Sequence, residues 1–376
     1  MRIALFYHSL VSDWNHGNAH FLRGIASELQ ARGNEVRILE PQDSWSRCNL
    51  IRDCGAQAVE AFKRAFPHLS SIQYTLDQLR LEHWLDGVDL IIAHEWNHPR
   101  LIEALGEYRR RNSQCRAFFH DTHHRALTAE NELARFDLSN YDGVLAYGAS
   151  LKLAYERHGW GKQVHVWHEA ADTRVFYPRN PVRLCGDVVW IGNWGDEERT
   201  EELREFFLRP VAQASLKASV FGVRYPHSAL DELRHSGISH GGWLPNLEVP
   251  EVFAQFKVTV HVPRRPYTQG LRGIPTIRPF EALACGIPLV SAPWQDSEGL
   301  FRVGQDFLMA RNGDDMREKL VTVSQDEALA WQLSESGLET IRDRHTCAHR
   351  VDELFAIYNA IRPSLSPEAE VAEVQS

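Results

Sequence analysis

Short apolar runs alternate along the chain with longer stretches in which apolar residues recur at helical spacing. Runs at 2–8 (RIALFYH), 35–40 (EVRILE), 88–96 (VDLIIAHEW), 116–121 (RAFFHD) and 143–148 (GVLAYG) read as strands. Amphipathic segments lie between them, which is the signature of βαβ units in a parallel sheet. The first unit is the best marked. Residues 16–36, HGNAHFLRGIASELQARGNEV, give a polar glycine loop, a helix, and a glycine stop before the next strand. That loop follows a strand's carboxyl end, where open parallel sheets bind ligands.

After residues 163–183, QVHVWHEAADTRVFYPRNPVR, the alternation restarts. Runs at 187–195 (DVVWIGNWG), 217–225 (KASVFGVRY), 238–244 (ISHGGWL), 258–265 (VTVHVPRR) and 287–293 (IPLVSAP) predict a second sheet. Pro178, Asn180 and Pro181 mark the linker, because proline favours extended chain and removes a donor. The expected fold class is α/β: two Rossmann-like, doubly wound parallel-sheet domains facing across a cleft. Residues 1–175 form the first, acceptor-side domain and 176–345 the second, nucleotide-binding one. A closing helix over 346–362 is available to pack back on the first domain, and 363–376 has the composition of disorder.

The chain's 376 residues are too many for one comfortable core, which agrees with two domains. At 43% hydrophobic and 24% charged, the composition is that of a soluble globular protein. A formal charge of −9 argues against nucleic-acid binding, so an anionic ligand must be met by local groups. Six cysteines without CxxC spacing fit reduced thiols and a cytoplasmic location. No stretch reaches membrane-spanning length, and the apolar start is too short for a signal peptide; contact with a membrane surface through 107–116, EYRRRNSQCR, stays open beside a plain solvated helix end. GxGxxG, GxxxxGK, HExxH and DxD are all absent, which weakens dehydrogenase, P-loop and metal-dependent readings.

Residues 277–301, IRPFEALACGIPLVSAPWQDSEGLF, resemble the donor-binding motif of GT-B glycosyltransferases, near family 4 and closer to the spore-maturation-protein-like (CgeB-like) branch. Three further segments agree in order: 164–178 (VHVWHEAADTRVFYP), 188–193 (VVWIGN), and 238–265 with its glycine turn, helix and strand. The likeness covers 175–360 specifically and 1–170 weakly. It implies the GT-B fold and transfer of a sugar from a nucleotide-diphosphate sugar to an acceptor hydroxyl, with retention of configuration and no cofactor or metal. The acceptor, a glycan, lipid-linked glycan or small molecule, is not named by the sequence. An epimerase or hydrolase on the same fold, or a non-catalytic nucleotide-sugar-binding or structural protein, would fit the same residues.

Site expectations follow. A carboxylate in a helix's first turn can accept two hydrogen bonds from a ribose diol, so Glu281 is expected to clamp the ribose; the competing account is that it merely caps the helix. Pro275, Thr276 and Ile277 would present free amides to a diphosphate, flanked by Arg272 and Arg278. Gly286 would allow close helix packing. Arg199, in GNWGDEERTEELR, is the cation expected to neutralise the leaving diphosphate, with a solvated helix face as its rival. The resemblance is broken at two places. Asn193 follows Gly192 where an Arg is usual, and Gly273 stands where a second Glu is usual, opening space for a differently shaped sugar or leaving the contact to main chain. In the first domain His120 is expected to face the donor sugar, and Gly17 with Asn18 to face the diphosphate or acceptor. His123 and His124 make a metal conceivable, but their spacing favours a helix cap. Trp243 would wall the base pocket, or simply fill core.

Overall fold

The computed structural model describes residues 1–180 and 183–361; Pro181 of the linker and the 363–376 tail lie outside the described residues. Two sheets carry the fold. The first holds β1 (Arg2–Phe6), β2 (Glu35–Pro41), β3 (Ile72–Tyr74), β4 (Leu90–His94), β5 (Arg116–Asp121), β6 (Gly143–Ala146) and β7 (Val164–Val166), in the order β3-β2-β1-β4-β5-β6-β7. The second holds β8 (Gly186–Ile191), β9 (Ala218–Phe221), β10 (Ser239–His240), β11 (Phe256–His261), β12 (Leu289–Ser291) and β13 (Leu308–Met309), ordered β10-β9-β8-β11-β12-β13. Every pairing is parallel.

The central strands are mostly apolar because helices cover both faces, with polar residues at their carboxyl ends such as His94, His120 and His261. Ile3, Ala4, Leu5 and Phe6 of β1 are fully buried, as are Leu90, Ile91 and Ala93 of β4. Three strands carry no legible run in the sequence: β3, β7 and β13 span two or three residues each. The run expected at 238–244 is strand only at Ser239–His240, since Gly241 and the positive φ of Gly242 end it at once.

In each sheet the strand order reverses between the first strand and its partner across the crevice, β1 with β4 and β8 with β11. The loops leaving the carboxyl ends of those four strands are the ones that meet a ligand in such sheets. They face one another here.

The last helix, Cys347–Ala360, opens on a capping box in which Thr346 and His349 exchange side-chain and backbone contacts. It lies against helix Ala19–Ala31 of the first domain. Gly24 makes the approach possible: a Cβ there would stand 2.5 Å from Cys347 Sγ and 2.7 Å from Asp172 Cβ. The Trp167 indole donates to Arg350 O at 2.7 Å, and Arg116 reaches the Tyr358 carbonyl. The chain therefore crosses between domains twice, and the crossings are stitched together. Ala171 N donates to His345 O and Cys347 N to Ala171 O, both at 3.0 Å.

Candidate active site

A cleft of about 580 Å³ lies between the two sheets. That volume suits a small polar ligand. Its second-domain wall is built from the loops after β8 and β11. Arg199 donates to Asn193 O at 2.8 Å, Asn193 Oδ1 at 2.7 Å and Val262 O at 3.2 Å, and lies over the Trp190 ring, 5.0 Å from its centroid. Arg264 shares the same Asn193 oxygen at 3.0 Å and pairs with Glu198 at 2.7 Å. Asn193 thus takes up both guanidinia where the resemblance anticipates a single cation. Burial, with Arg264 and Arg278 close by, pulls the Arg199 guanidinium down to about 9, which leaves it charged at neutral pH. Its Nε is buried without a partner. For Glu198, burial alone would push the carboxyl up, but His124 and Arg264 hold it at about 2.

Beside these groups begins helix Ile277–Ala284. Thr276 is its N-cap at φ +61 and makes no side-chain cap, so the first-turn amides of Ile277 and Arg278 stay open. Pro275 and Pro279 carry no amide, which corrects the expectation that Pro275 donates. Thr276, Ile277 and Arg278 all line the cleft, as do Gly192, Asn193, Arg199 and Trp243. The Trp243 indole is pinned by Asp13 Oδ1 at 3.1 Å, and Asp13 Oδ2 also accepts from Asn246 N, so one first-domain carboxylate ties down the second-domain turn.

Four assignments change. Glu281 stands in the second turn of its helix, not the first, and its carboxylate is fully buried behind the cleft wall. One oxygen lies 2.7 Å from His20 Nδ1 and the other meets Arg278, so it orients Arg278 from behind. Arg272 is exposed and outside the cleft, because the turn swings its side chain to solvent. Gly273, at φ +96, has its open side against Ser297, whose Oγ a Cβ would meet at 2.2 Å; it does not widen the sugar space. His120 is fully buried on β5 and outside the cleft, packed between His94 and Trp167 at ring-centroid distances of 5.4 and 4.8 Å, and burial drives its imidazole to about 3.

His16, His123 and His124 are the histidines that do reach the cleft from this side, and His16 lies 6.2 Å from His94 and 5.5 Å from His8. Burial, then the repulsion of Arg23, takes the His16 ring down to about 4, so it is neutral at pH 7. Gly17 and Asn18 line the cleft beside it; a Cβ on Gly17 would touch Ile277 at 3.4 Å, so the first-domain loop lies directly against the helix start. Asn15 receives the Asn193 amide, and Asn18 donates to Thr122. Trp45 and Trp96 complete this wall, with the Arg125 guanidinium 4.1 Å from the Trp96 ring centre. The His123 and His124 rings lie 4.0 Å apart between centroids with a 33° tilt, and His124 contacts Thr128 Oγ1 at 2.9 Å. Among the described residues no group of three or more His, Cys, Asp or Glu is arranged to hold a metal.

The sequence reading missed Arg264, His16, Asp13, Asn15, Trp45, Trp96 and Glu169. Arg264 and Asn15 carried a usable signal, since both follow a strand at its carboxyl end. The tryptophans did not, being two of eleven.

Residues 199–356 match the family model described as "Glycosyl transferase-like". No curated protein matches the chain. Among solved structures, sucrose-phosphate synthase from Thermosynechococcus elongatus is similar at TM-score 0.66 and 16% identity, covering 96% of this chain and 100% of that one. Anabaena HepE in complex with UDP and glucose gives 0.64 and 14%, with coverage of 96% and 100%. An alpha-glucosyltransferase in complex with UDP and DNA gives 0.66 and 15%, with 96% and 99%. The fold is GT-B, and its second domain carries a glycosyltransferase-like segment. The particular branch anticipated from the sequence is not distinguished by these likenesses.

Proposed function

We propose that the protein transfers a sugar from a nucleotide-diphosphate sugar to an acceptor hydroxyl, with retention and without a required metal. The observation that carries this reading is the convergence of Arg199, Arg264 and Arg278 on the open amide end of helix Ile277–Ala284, at the strand-order switch of the second sheet. In a protein of net charge −9, such a focus of positive charge calls for an anion of high local charge. A diphosphate fits it, and a family model and GT-B neighbours with UDP agree in kind.

As the bond from anomeric carbon to phosphate oxygen breaks, the arginines and amides take the charge that develops on the diphosphate. The acceptor oxygen bonds to the anomeric carbon on the same face, and its proton passes to the departing phosphate oxygen. Charge balance is met by arginines, which is why a metal is not called for. Glu281 and His20 serve by holding Arg278 in place.

The test is a melting-temperature screen against UDP, GDP, dTDP and ADP, followed by incubation with the matching nucleotide sugars. Stabilisation by one diphosphate and transfer of its sugar to an added acceptor is the expected result. Isomerised or hydrolysed donor without transfer would replace transferase by epimerase or hydrolase, and no stabilisation by any diphosphate would remove the reading.

A further inference from the structure

Glu169 lies on the first chain crossing between the domains, just before the point where the two crossings are stitched together at Ala171. Its main chain is fixed by Arg350, whose Nε donates to Glu169 O at 3.4 Å. Its side chain lines the cleft, is only 3% exposed, and has no hydrogen-bond partner on either carboxyl oxygen. A buried carboxyl with two idle oxygens is costly unless a ligand completes it. Nearby Glu281 repels its ionised form while Arg278 favours it, and burial dominates, so the carboxyl is pushed well above the ordinary carboxylate range. Burial therefore favours the protonated carboxyl, which both donates and accepts and so matches a pair of neighbouring hydroxyls, where a phosphate offers acceptors only.

Position decides which hydroxyls. Arg278 is the member of the cationic wall whose charge Glu169 feels, and it stands at the open helix end where the diphosphate is placed above. Two groups flank a sugar nucleotide's diphosphate, the nucleoside with its ribose and the transferred sugar, and we assign the Glu169 side to the sugar. Gly273, from which the resemblance would have drawn a carboxylate, faces Ser297 instead.

We propose that Glu169 is the donor-sugar contact of this cleft, its carboxyl gripping two hydroxyls of the transferred ring and so setting which sugar is accepted. This rests on the diphosphate reading given above. The test compares calorimetric affinities for UDP, GDP, dTDP and ADP with those for the corresponding sugar nucleotides, in the wild type, Glu169→Ala and Glu169→Gln. In the wild type the sugar should tighten binding of the cognate diphosphate. Glu169→Ala should lose that increment, a ten- to hundredfold change, with free-diphosphate affinity held within about threefold, while Glu169→Gln, which keeps a neutral donor and acceptor, should retain most of it. Unaltered diphosphate binding also shows that the variant cleft is folded. An undiminished sugar increment in Glu169→Ala, no increment in the wild type, or an equal loss for free diphosphate would each overturn the assignment of Glu169 while leaving the diphosphate site standing. If no diphosphate binds the wild type, the diphosphate reading falls and the assignment falls with it.

Discussion

The two walls of the cleft solve opposite electrostatic problems. On the second-domain side Arg199 and Arg264 are gathered around Asn193, Arg278 stands in the first turn of helix Ile277–Ala284 with its open amides, and Arg199 keeps its positive charge despite burial. On the first-domain side burial lowers the imidazoles of His16, to about 4, and of His123, with His8 and His120 lowered to about 2 and 3 behind the wall, while His124 pairs with Glu198 across the cleft at 3.4 Å. Their neighbours are tryptophan, threonine and asparagine. The contrast teaches that this cleft sets an arginine-rich wall against one in which burial has lowered most of the imidazoles.

Breaking the cationic wall should have the largest effect. Arg199→Ala removes three hydrogen bonds from a buried cation and is expected to weaken diphosphate binding by about 3 kcal/mol, roughly a hundredfold, by calorimetry. Arg199→Lys should recover only part, because a single ammonium cannot span Asn193 and Val262 together. Loss under about threefold would show that the anion is held elsewhere.

Charging the buried histidine behind the first-domain wall comes next. A buried ring whose folded value lies below the unfolded 6.5 binds its proton less readily when folded, so stability is intact above pH 6.5 and falls as pH drops from there toward the folded value. For His120 the window runs from 6.5 to about 3, with a loss of about 1.4 kcal/mol per pH unit. Glu169 works the other way, its contribution present in acid and lost as pH climbs, so single variants are needed to separate them. Urea unfolding at pH 7, 6 and 5 should show a slope that His120→Leu reduces; an unchanged slope would mean that His120 is charged or exposed.

A third variant tests a position the sequence made prominent. Gly273→Glu places a side chain at φ +96 and against Ser297, and should cost about 2 kcal/mol, a fall of roughly 5 °C in Tm, with no gain in donor affinity. Tighter donor binding would instead place that side chain in the cleft. The smallest effect belongs to Arg272→Ala, which should leave diphosphate affinity within about twofold, since the residue is exposed and outside the cleft. A tenfold loss would redraw the anion site.

Much of the fold was legible because both sheets are parallel and buried, so their central strands read as mostly apolar runs bounded by polar loops. Strands of two or three residues at the sheet edges leave no period to read. The site was legible where backbone chemistry decides, as at the turn of Thr276 to Arg278 and at Gly17. It failed where packing decides. His120 ends a strand just as a ligand-facing histidine would, yet the side chains of a strand alternate between faces, and only the tertiary arrangement shows that His94 and Trp167 enclose it. Glu169 sits within the segment 164–178 that carries the resemblance, yet nothing local to 167–172 tells that its carboxyl is left without partners.

The pairing of the two chain crossings at Ala171 with His345 and Cys347 has a mechanical consequence. A panel hung from two adjacent points swings about one line and resists twisting, so the lobes are restricted to a single angular coordinate. Cutting the peptide near 345 would loosen that constraint and strip a packed helix from the opposite lobe, so severing the link should damage the half of the molecule that the cut does not touch.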